Sequence, residues 1–174
     1  MDLKKLSAAF PASKIHFRVG ATNQKRVAKE TGDRNAKPTK GIPFAYIDAR
    51  DVMERLDEVC GPTGWQDEYP FHGCCKIGIR VAVGGDSKLL EWVWKSDGAG
   101  ATDIEAEKGQ FSDAFKRAAV KWGIGRYLYD CENNWYDLNQ YGSAFTKEAA
   151  EQIRLDFHRW QNNYFKTQKE NNDE

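Results

Sequence analysis

The feature that most constrains the fold is a ten-residue alternation between Cys74 and Val83. Apolar side chains occupy every second position of this stretch: Cys75, Ile77, Ile79, Val81 and Val83. A period of two places all five on one face of a β-strand. Gly84-Gly85-Asp86 then reads as a tight hairpin connection, and the alternation resumes over Lys88–Ser96. With a further strand over Gln66–Phe71, the pattern predicts a three-stranded antiparallel meander with one covered face.

Helical patterns surround this meander. Ile47–Cys60 is amphipathic and stops at Gly61-Pro62. A capping box at Thr102-Asp103-Ile104-Glu105 opens a long helix to about Trp122, whose apolar face should pack on the sheet. Thr146 caps a last helix that runs to about Phe165, and Lys14–Gly20 alternates as a short strand. The predicted fold class is α+β: a three-stranded antiparallel meander packed by a long helix, with an N-terminal strand and helix and a C-terminal helix.

The chain of 174 residues has room for one domain of ordinary size. We expect residues 1–165 to form a single domain. Within it, residues 21–43 are polar, basic and punctuated by glycine and proline, which predicts a long basic loop. Residues 166–174 are expected to be a polar, disordered tail.

Composition excludes several classes of protein. No apolar run approaches the ~20 residues that a membrane span needs, and the N-terminus lacks a hydrophobic signal segment, so we expect a cytoplasmic protein without a membrane partner. The four cysteines show no CxxC spacing and the three histidines are scattered. Zinc frameworks and disulfide scaffolds are therefore disfavoured, and no cofactor or metal is expected.

Charge is divided unevenly along a chain whose net charge is zero. Residues 1–43 hold ten Lys and Arg against three Asp and Glu, whereas residues 44–108 hold seven against thirteen. The pattern indicates either a basic strip on one side of the protein or a solvated basic tail. Charge alone does not decide between them.

Catalytic interpretations find little support. The stretch 98–102 lies between a strand and a helix but lacks the Gly-Lys-Ser/Thr ending of a phosphate-binding loop. Asp103, Glu105 and Glu107 lie in succession at a helix start, where the helix dipole explains them. Two-metal catalysis needs carboxylates from different elements. We therefore expect a protein that is not an enzyme.

Two groups of cations suit a nucleic-acid backbone. The first lies within eleven residues, beside Trp122, Tyr127 and Tyr129, and comprises Lys116, Arg117, Lys121 and Arg126. The second lies near the N-terminus and includes Arg18, Lys25 and Arg26. Cations beside planar side chains are what non-specific single-strand binding requires. The alternative is an ordinary solvated helix face.

Several motifs between residues 44 and 130 are similar to the Rad52/Rad22 family of single-strand annealing proteins, in the compact form that resembles phage and bacterial members. In chain order they are Tyr46-Ile47-Asp48, Gly61-Pro62-Thr63-Gly64-Trp65, the meander, Asp113-Ala114-Phe115-Lys116-Arg117-Ala118 and Gly123-Ile124-Gly125-Arg126-Tyr127-Leu128-Tyr129. The resemblance covers about half of the chain.

This resemblance implies roles for individual residues. Lys116-Arg117 matches a pair that lines a groove for the single-strand backbone, Arg18 matches a further strand contact, and Tyr46 matches a tyrosine near the groove. A groove arginine of the family falls on Val120, so Lys121 or Arg126 is the candidate substitute. An outer-site lysine of the family falls on Asp97, so that second DNA site is not carried over.

The function implied is single-stranded DNA binding and strand annealing in homologous recombination and double-strand break repair. The backbone would lie in a basic groove with the bases exposed for pairing. The implied partners are single-stranded DNA and further copies of the chain in a ring or filament, with a single-strand binding protein as another candidate partner. A small metal-dependent repair or replication nuclease, and an RNA-binding or structural assembly module, are the alternatives.

Overall fold

The computed structural model describes residues 1–83, 86–98, 107–132 and 134–170. These residues form two compact units, and each unit joins separated parts of the chain. The first unit comprises Met1–Ala9 and Ile47–Tyr127, and the second comprises Phe10–Tyr46 and Leu128–Glu174. None of the described helices is both long enough and apolar enough to cross a membrane.

The first unit contains the predicted meander. Its strands are β3 (Trp65–Glu68), β4 (Cys74–Val83) and β5 (Asp86–Gly98), antiparallel in the order β3-β4-β5. Cys75, Ile77 and Ile79 are fully buried on one face of β4, as their alternation predicts. The meander is therefore confirmed, with β4 ending where the sequence pattern ends. The predicted turn at residues 84–85 lies outside the described residues.

Helix α3 (Glu107–Lys121) covers the buried face and packs on β4 and β5. Its predicted apolar face is confirmed at Phe115, Ala118 and Ala119, which are buried. Near its start the helical pattern places Phe111 on the apolar face and Gln110 on the other side, but in the structure Gln110 is buried and Phe111 is exposed. Gln110 lies one turn before the buried Ala114, on the same row of the helix. The predicted capping box at residues 102–105 lies outside the described residues.

Helix α2 (Ala49–Cys60) completes the first unit and begins with a capping box between Asp48 and Asp51. Arg55, which the sequence pattern places on the polar side of this helix, is instead only 8% exposed. Its guanidinium donates hydrogen bonds to backbone carbonyls of the N-terminal segment, which includes a short 3-10 helix over Leu3–Ser7: those of Lys5, Leu6, Ala8 and Ala9. These hydrogen bonds, with Glu58 Oε2 3.6 Å from Arg55 Nε, allow the cation to be buried.

The second unit contains a three-stranded sheet that sequence reasoning missed. Its strands are β1 (His16–Thr22), β2 (Lys40–Tyr46) and β6 (Tyr136–Asp137), antiparallel in the order β1-β2-β6. Phe17 contacts Phe157 of the C-terminal helix, with ring centroids 5.3 Å apart. The N-terminal strand predicted over Lys14–Gly20 is confirmed, but it begins and ends two residues later, at His16 and Thr22.

The stretch 21–43, predicted as a long basic loop, contains helix α1 (Gln24–Thr31) and the adjoining ends of β1 and β2. Asn23 organises it, because its buried side-chain oxygen accepts hydrogen bonds from the backbone amides of Thr39 (2.9 Å) and Lys40 (3.0 Å). This contact spans sixteen residues or more, so no local pattern signals it. A loop remains between α1 and β2.

Helix α4 (Lys147–Glu170) begins as predicted, with the Thr146 hydroxyl accepting a hydrogen bond from the amide of Ala149 at 3.1 Å. The helix continues five residues beyond the expected end at Phe165, through most of the stretch predicted to be a disordered tail. Lys, Gln and Glu are good helix formers, so a polar sequence here is compatible with a helix end. Residues 171–174 lie outside the described residues.

Candidate nucleic-acid interface

Three of the predicted cations lie on α3, which packs against β4 and β5. Arg117 and Lys121 are one turn apart, and the side chain of each is 51% exposed. Lys116 is less exposed, at 26%, and its Nζ lies 3.2 Å from Oδ1 of Asp113. Phe115 and Ala118 take the buried positions on either side of Lys116 and Arg117, which leaves Arg117 and Lys121 half exposed at the edge of the helix.

A carboxylate from β5 enters the same cluster. Asp97 Oδ1 lies 3.3 Å from a terminal nitrogen of Arg117, and Asp97 Oδ2 lies 3.9 Å from Nζ of Lys121. Burial acts to raise the pKa of Asp97, but a hydrogen bond from the Gly98 amide and the charges of Arg117 and Lys121 outweigh burial and hold this pKa below its ordinary value. Asp97 is therefore an anion that already bridges two of the candidate phosphate ligands.

Lys95 is a further cation near this cluster that sequence reasoning missed. Its Nζ donates to the backbone carbonyl of Lys121 at 3.0 Å and lies 4.3 Å from the centroid of the Trp122 ring. The signal was present in the alternation, because Lys95 and Asp97 share the face of β5 that α3 covers. The alternation of side chains along β5 was therefore sufficient to place Lys95 and Asp97 beside α3.

Arg126 has a different setting. Its guanidinium donates to the carbonyl of Val120 at 3.0 and 2.9 Å, and to that of Lys121 at 2.9 Å. These carbonyls belong to the last turn of α3, where the regular helical donors run out, and they also accept from the Gly123 amide and from Lys95. A cation at a helix C-terminus is also favoured by the helix dipole. Arg126 thus caps α3, a role that sequence reasoning did not foresee.

In the second unit, Arg18 and Tyr46 lie on one face of the β1–β2 ladder. The register pairs His16 with Tyr46 and Arg18 with Phe44, so all four side chains share that face. The rings of His16 and Tyr46 are 5.5 Å apart, and Cζ of Arg18 lies 5.8 Å from the centroid of the Phe44 ring. Phe44 is 44% exposed. The face therefore combines exposed cationic and aromatic groups.

Phe44 owes its position to a glycine on the neighbouring strand. A Cβ added at Gly20 would lie 2.5 Å from the Phe44 ring, closer than non-bonded carbon atoms approach. The ring therefore lies against β1 because residue 20 has no side chain. Sequence reasoning missed Phe44 because this residue directly follows the loop predicted over residues 21–43, and no strand was predicted there.

Lys25 and Arg26 lie on the first turns of α1 and are exposed. Arg26 Nε is 3.6 Å from Oε1 of Glu30. An exposed helical ion pair of this kind contributes only a few tenths of a kcal/mol, about 0.3–0.5. Both cations are consequently accessible to a phosphate.

Thiol and metal chemistry have little basis among the described residues. No group of three or more His, Cys, Asp or Glu is placed there to hold a metal ion. Burial is the main cause that raises the pKa of Cys75 to about 11, and it likewise raises the pKa of Cys131 to about 11. Both thiols are protonated near neutral pH, whereas a nucleophilic cysteine needs thiolate character.

The geometry can therefore hold a phosphate backbone and present rings to bases. In the first unit the structure brings together Arg117 and Lys121 with Asp97 and Lys95, and Lys116 lies on the same helix. In the second unit it brings together Arg18 and Tyr46, with Phe44 and His16. Cations that meet phosphates and rings that stack on bases carry no sequence information, which is typical of non-specific single-strand binding.

Comparison with known proteins matches residues 3–144 to the Rad52/22 family of double-strand break repair proteins. Single-stranded DNA-binding protein DdrA of Deinococcus radiodurans is 32% identical over 160 residues, which cover 90% of this chain and 69% of that protein. DdrA of Deinococcus deserti is 34% identical over 138 residues, which cover 78% of this chain and 60% of that protein. This chain thus spans about two thirds of the length of the curated relatives it matches. No solved structure gives a significant match.

Proposed function

The chain belongs to the Rad52/22 family of double-strand break repair proteins, and we propose that it binds single-stranded DNA and anneals complementary strands in recombination and repair. Both relatives named above are single-stranded DNA-binding proteins. The observation that carries the proposal is the cluster of exposed cations on α3, where Arg117 and Lys121 already hold one anionic group, Asp97, between them.

Phosphate contacts supply the affinity in this mechanism. A phosphate oxygen can take the place that the carboxylate of Asp97 occupies, because both present an anionic oxygen to the same donors. Lys116 adds a third positive charge one position before Arg117. Each phosphate contact releases counterions, so binding weakens as salt rises.

The second unit contributes contacts of another kind. Arg18 offers a cation, while Phe44 and Tyr46 offer rings on which bases can stack. Lys25 and Arg26 add positive charge on α1. Arg126 stabilises the end of α3, and any phosphate contact that it makes is additional to that role.

Annealing then needs no covalent chemistry from the protein. Neutralised phosphates repel one another less, and a strand held by its backbone keeps its base edges available. Watson–Crick pairing supplies the free energy of the duplex. We therefore propose a binding protein without catalytic activity, acting in the cytoplasm of a bacterial host cell.

Assembly multiplies these contacts. We propose a homo-oligomer, a ring or a filament, in which the cations of successive copies bind one strand. Linked sites raise the overall affinity without any new contact within a subunit. A single-strand binding protein that delivers the strands is a further proposed partner.

An annealing assay tests the proposal. Complementary oligonucleotides carrying a fluorophore and a quencher should pair faster with the protein than without it, and equally fast after addition of a chelator. Binding to an oligothymidylate should exceed binding to blunt duplex and to the matching RNA. Light scattering should give a mass well above the 19.8 kDa of one chain. Equal affinity for duplex, or activity abolished by the chelator, would contradict the proposal.

A further inference from the structure

The face of the meander opposite α3 carries two tryptophan–cation pairs. Lys76 Nζ lies 4.4 Å from the centroid of the Trp94 ring, and Arg80 Cζ lies 5.8 Å from that of Trp92. The register pairs Arg80 with Trp92 and Gly78 with Trp94, so the four side chains share one face. The two indole rings are 6.1 Å apart and tilted by 33°.

This face is open to solvent. Trp92 is 38% exposed, Leu90 beside it is 44% exposed, and Arg80 is exposed. Trp94 lies flat over Gly78, where an added Cβ would come within 2.9 Å of the indole ring. Adjacent large rings left exposed on a sheet usually mark a surface that binds something.

The spacing of the pairs fits a nucleic-acid strand. Residues two apart on a β-strand are separated by about 6.6–6.8 Å. A stacked strand carries one phosphate every ~3.4 Å, so the two rings, two residues apart on β5, are about two nucleotides apart, and the two cations, four residues apart on β4, are about four. Rings for bases with cations for phosphates beside them are what a single-strand platform requires.

The charges favour this ligand over a protein partner. Cores of protein–protein interfaces are enriched in tryptophan and arginine but depleted of lysine, whereas Lys76 lies over one of the two tryptophans of this face. A second copy docked face to face would also oppose like charges. Glu68 Oε2 accepts a hydrogen bond from Lys76 at 2.8 Å. The Glu68 carboxylate offsets one of the two cations, Lys76 and Arg80, and one positive charge remains in excess.

We propose that this tryptophan face, defined by Lys76, Arg80, Trp92 and Trp94, binds a second single strand of nucleic acid. It lies on the opposite side of the same sheet from the cations of α3. The inference rests on the proposed function, because annealing requires two strands to be held close to one another. One sheet with a strand on each side would meet that requirement.

The test is capture of a second strand. Protein saturated with a surface-tethered oligothymidylate is offered a labelled oligothymidylate, which cannot pair with the first. Trp92→Ala and Arg80→Ala should bind the tethered strand like the wild type but capture at least about fivefold less of the labelled one, the loss of a base–aromatic or phosphate contact. Phe71→Ala, which removes an exposed ring from the loop before β4, is the control and should capture normally.

Each outcome has a separate meaning. Equal capture by all four proteins would overturn the tryptophan face as a strand-binding surface. A change of oligomeric state in Arg80→Ala with unchanged capture would overturn it in favour of an interface between copies. A wild type that fails to hold the tethered strand would instead refute the proposed function. Arg80→Ala removes an exposed side chain, so it remains a valid test if Trp92→Ala unfolds.

Discussion

The double substitution Lys116→Ala, Arg117→Ala removes two adjacent cations from α3 and tests the proposed interface most directly. The stability of the fold should change little. The ion pair between Arg117 and Asp97 is half exposed, and such pairs contribute about 0.2–1 kcal/mol. Alanine is also the best helix former. We therefore expect the free energy of unfolding to fall by about 1 kcal/mol or less.

Strand binding should change far more. Each phosphate contact to a single strand contributes about 0.7 to the log–log salt slope. Loss of two contacts should make the slope shallower by about 1.4. Between about 50 and 200 mM salt, the wild type should then lose roughly sevenfold more affinity than the variant does. Annealing should slow in parallel, since the same contacts relieve strand repulsion.

Fluorescence anisotropy of a labelled oligothymidylate across that salt range measures the slope, with unfolding in urea and light scattering on the same preparations. The matched control is Arg154→Ala, Arg159→Ala, which removes two exposed cations from α4. It should leave the slope close to that of the wild type. An unchanged slope in the α3 variant would refute the site assignment. Loss of assembly would show that Lys116 and Arg117 are structural.

Three further predictions address individual residues. Asp97→Asn should tighten strand binding in anisotropy, because Arg117 no longer has a competing carboxylate; looser binding would mean that Asp97 positions the cations. Because the pKa of Asp97 is lowered, its ion pair with Arg117 stabilises the fold fully at pH values above the ordinary carboxyl pKa. This stabilisation is lost as the pH falls through the lowered pKa. The affinity for a single strand should therefore rise over this acidic pH range in the wild type but not in the Asn variant. Arg126→Ala should lower the free energy of unfolding in urea by about 1–2 kcal/mol through loss of the α3 cap, and an unchanged midpoint would contradict that role. Phe44→Ala should weaken binding by about 1–3 kcal/mol, the value of one base–aromatic stack, and unchanged affinity in a folded variant would exclude stacking there.

Local periodicity was enough to predict which side of an element is buried. The alternation in Cys74–Val83 determined the strand, its ends and its buried face, because side chains of a β-strand point to opposite sides whatever its neighbours are. The stripe of Ala149, Ile153 and Phe157 likewise predicted the buried side of α4, although the helix runs past its predicted end. The motifs between residues 44 and 130, which include Lys116 and Arg117, also identified the family correctly. Each motif is a short local pattern, so the motifs and their order can be read from the sequence without the fold.

Contacts between distant residues were decided by the tertiary structure alone. Asp97 meets Arg117 twenty residues further on, and Lys40 pairs with Asp137 across almost a hundred. No periodicity encodes such partners, since they depend on how strands are ordered and which registers they take.

The same reason explains the residues that sequence reasoning misplaced. Arg55 reads as a solvated helix residue, yet four carbonyls of the N-terminal segment surround it in the fold. Phe44 lies just after the predicted loop and in no predicted strand, yet the pairing of β1 with β2 lays its ring over Gly20. The sequence by itself determined the types of its main elements and the chemistry that they carry. Only the pairing of distant strands and segments decided which of those groups meet, because that pairing is a property of the whole chain.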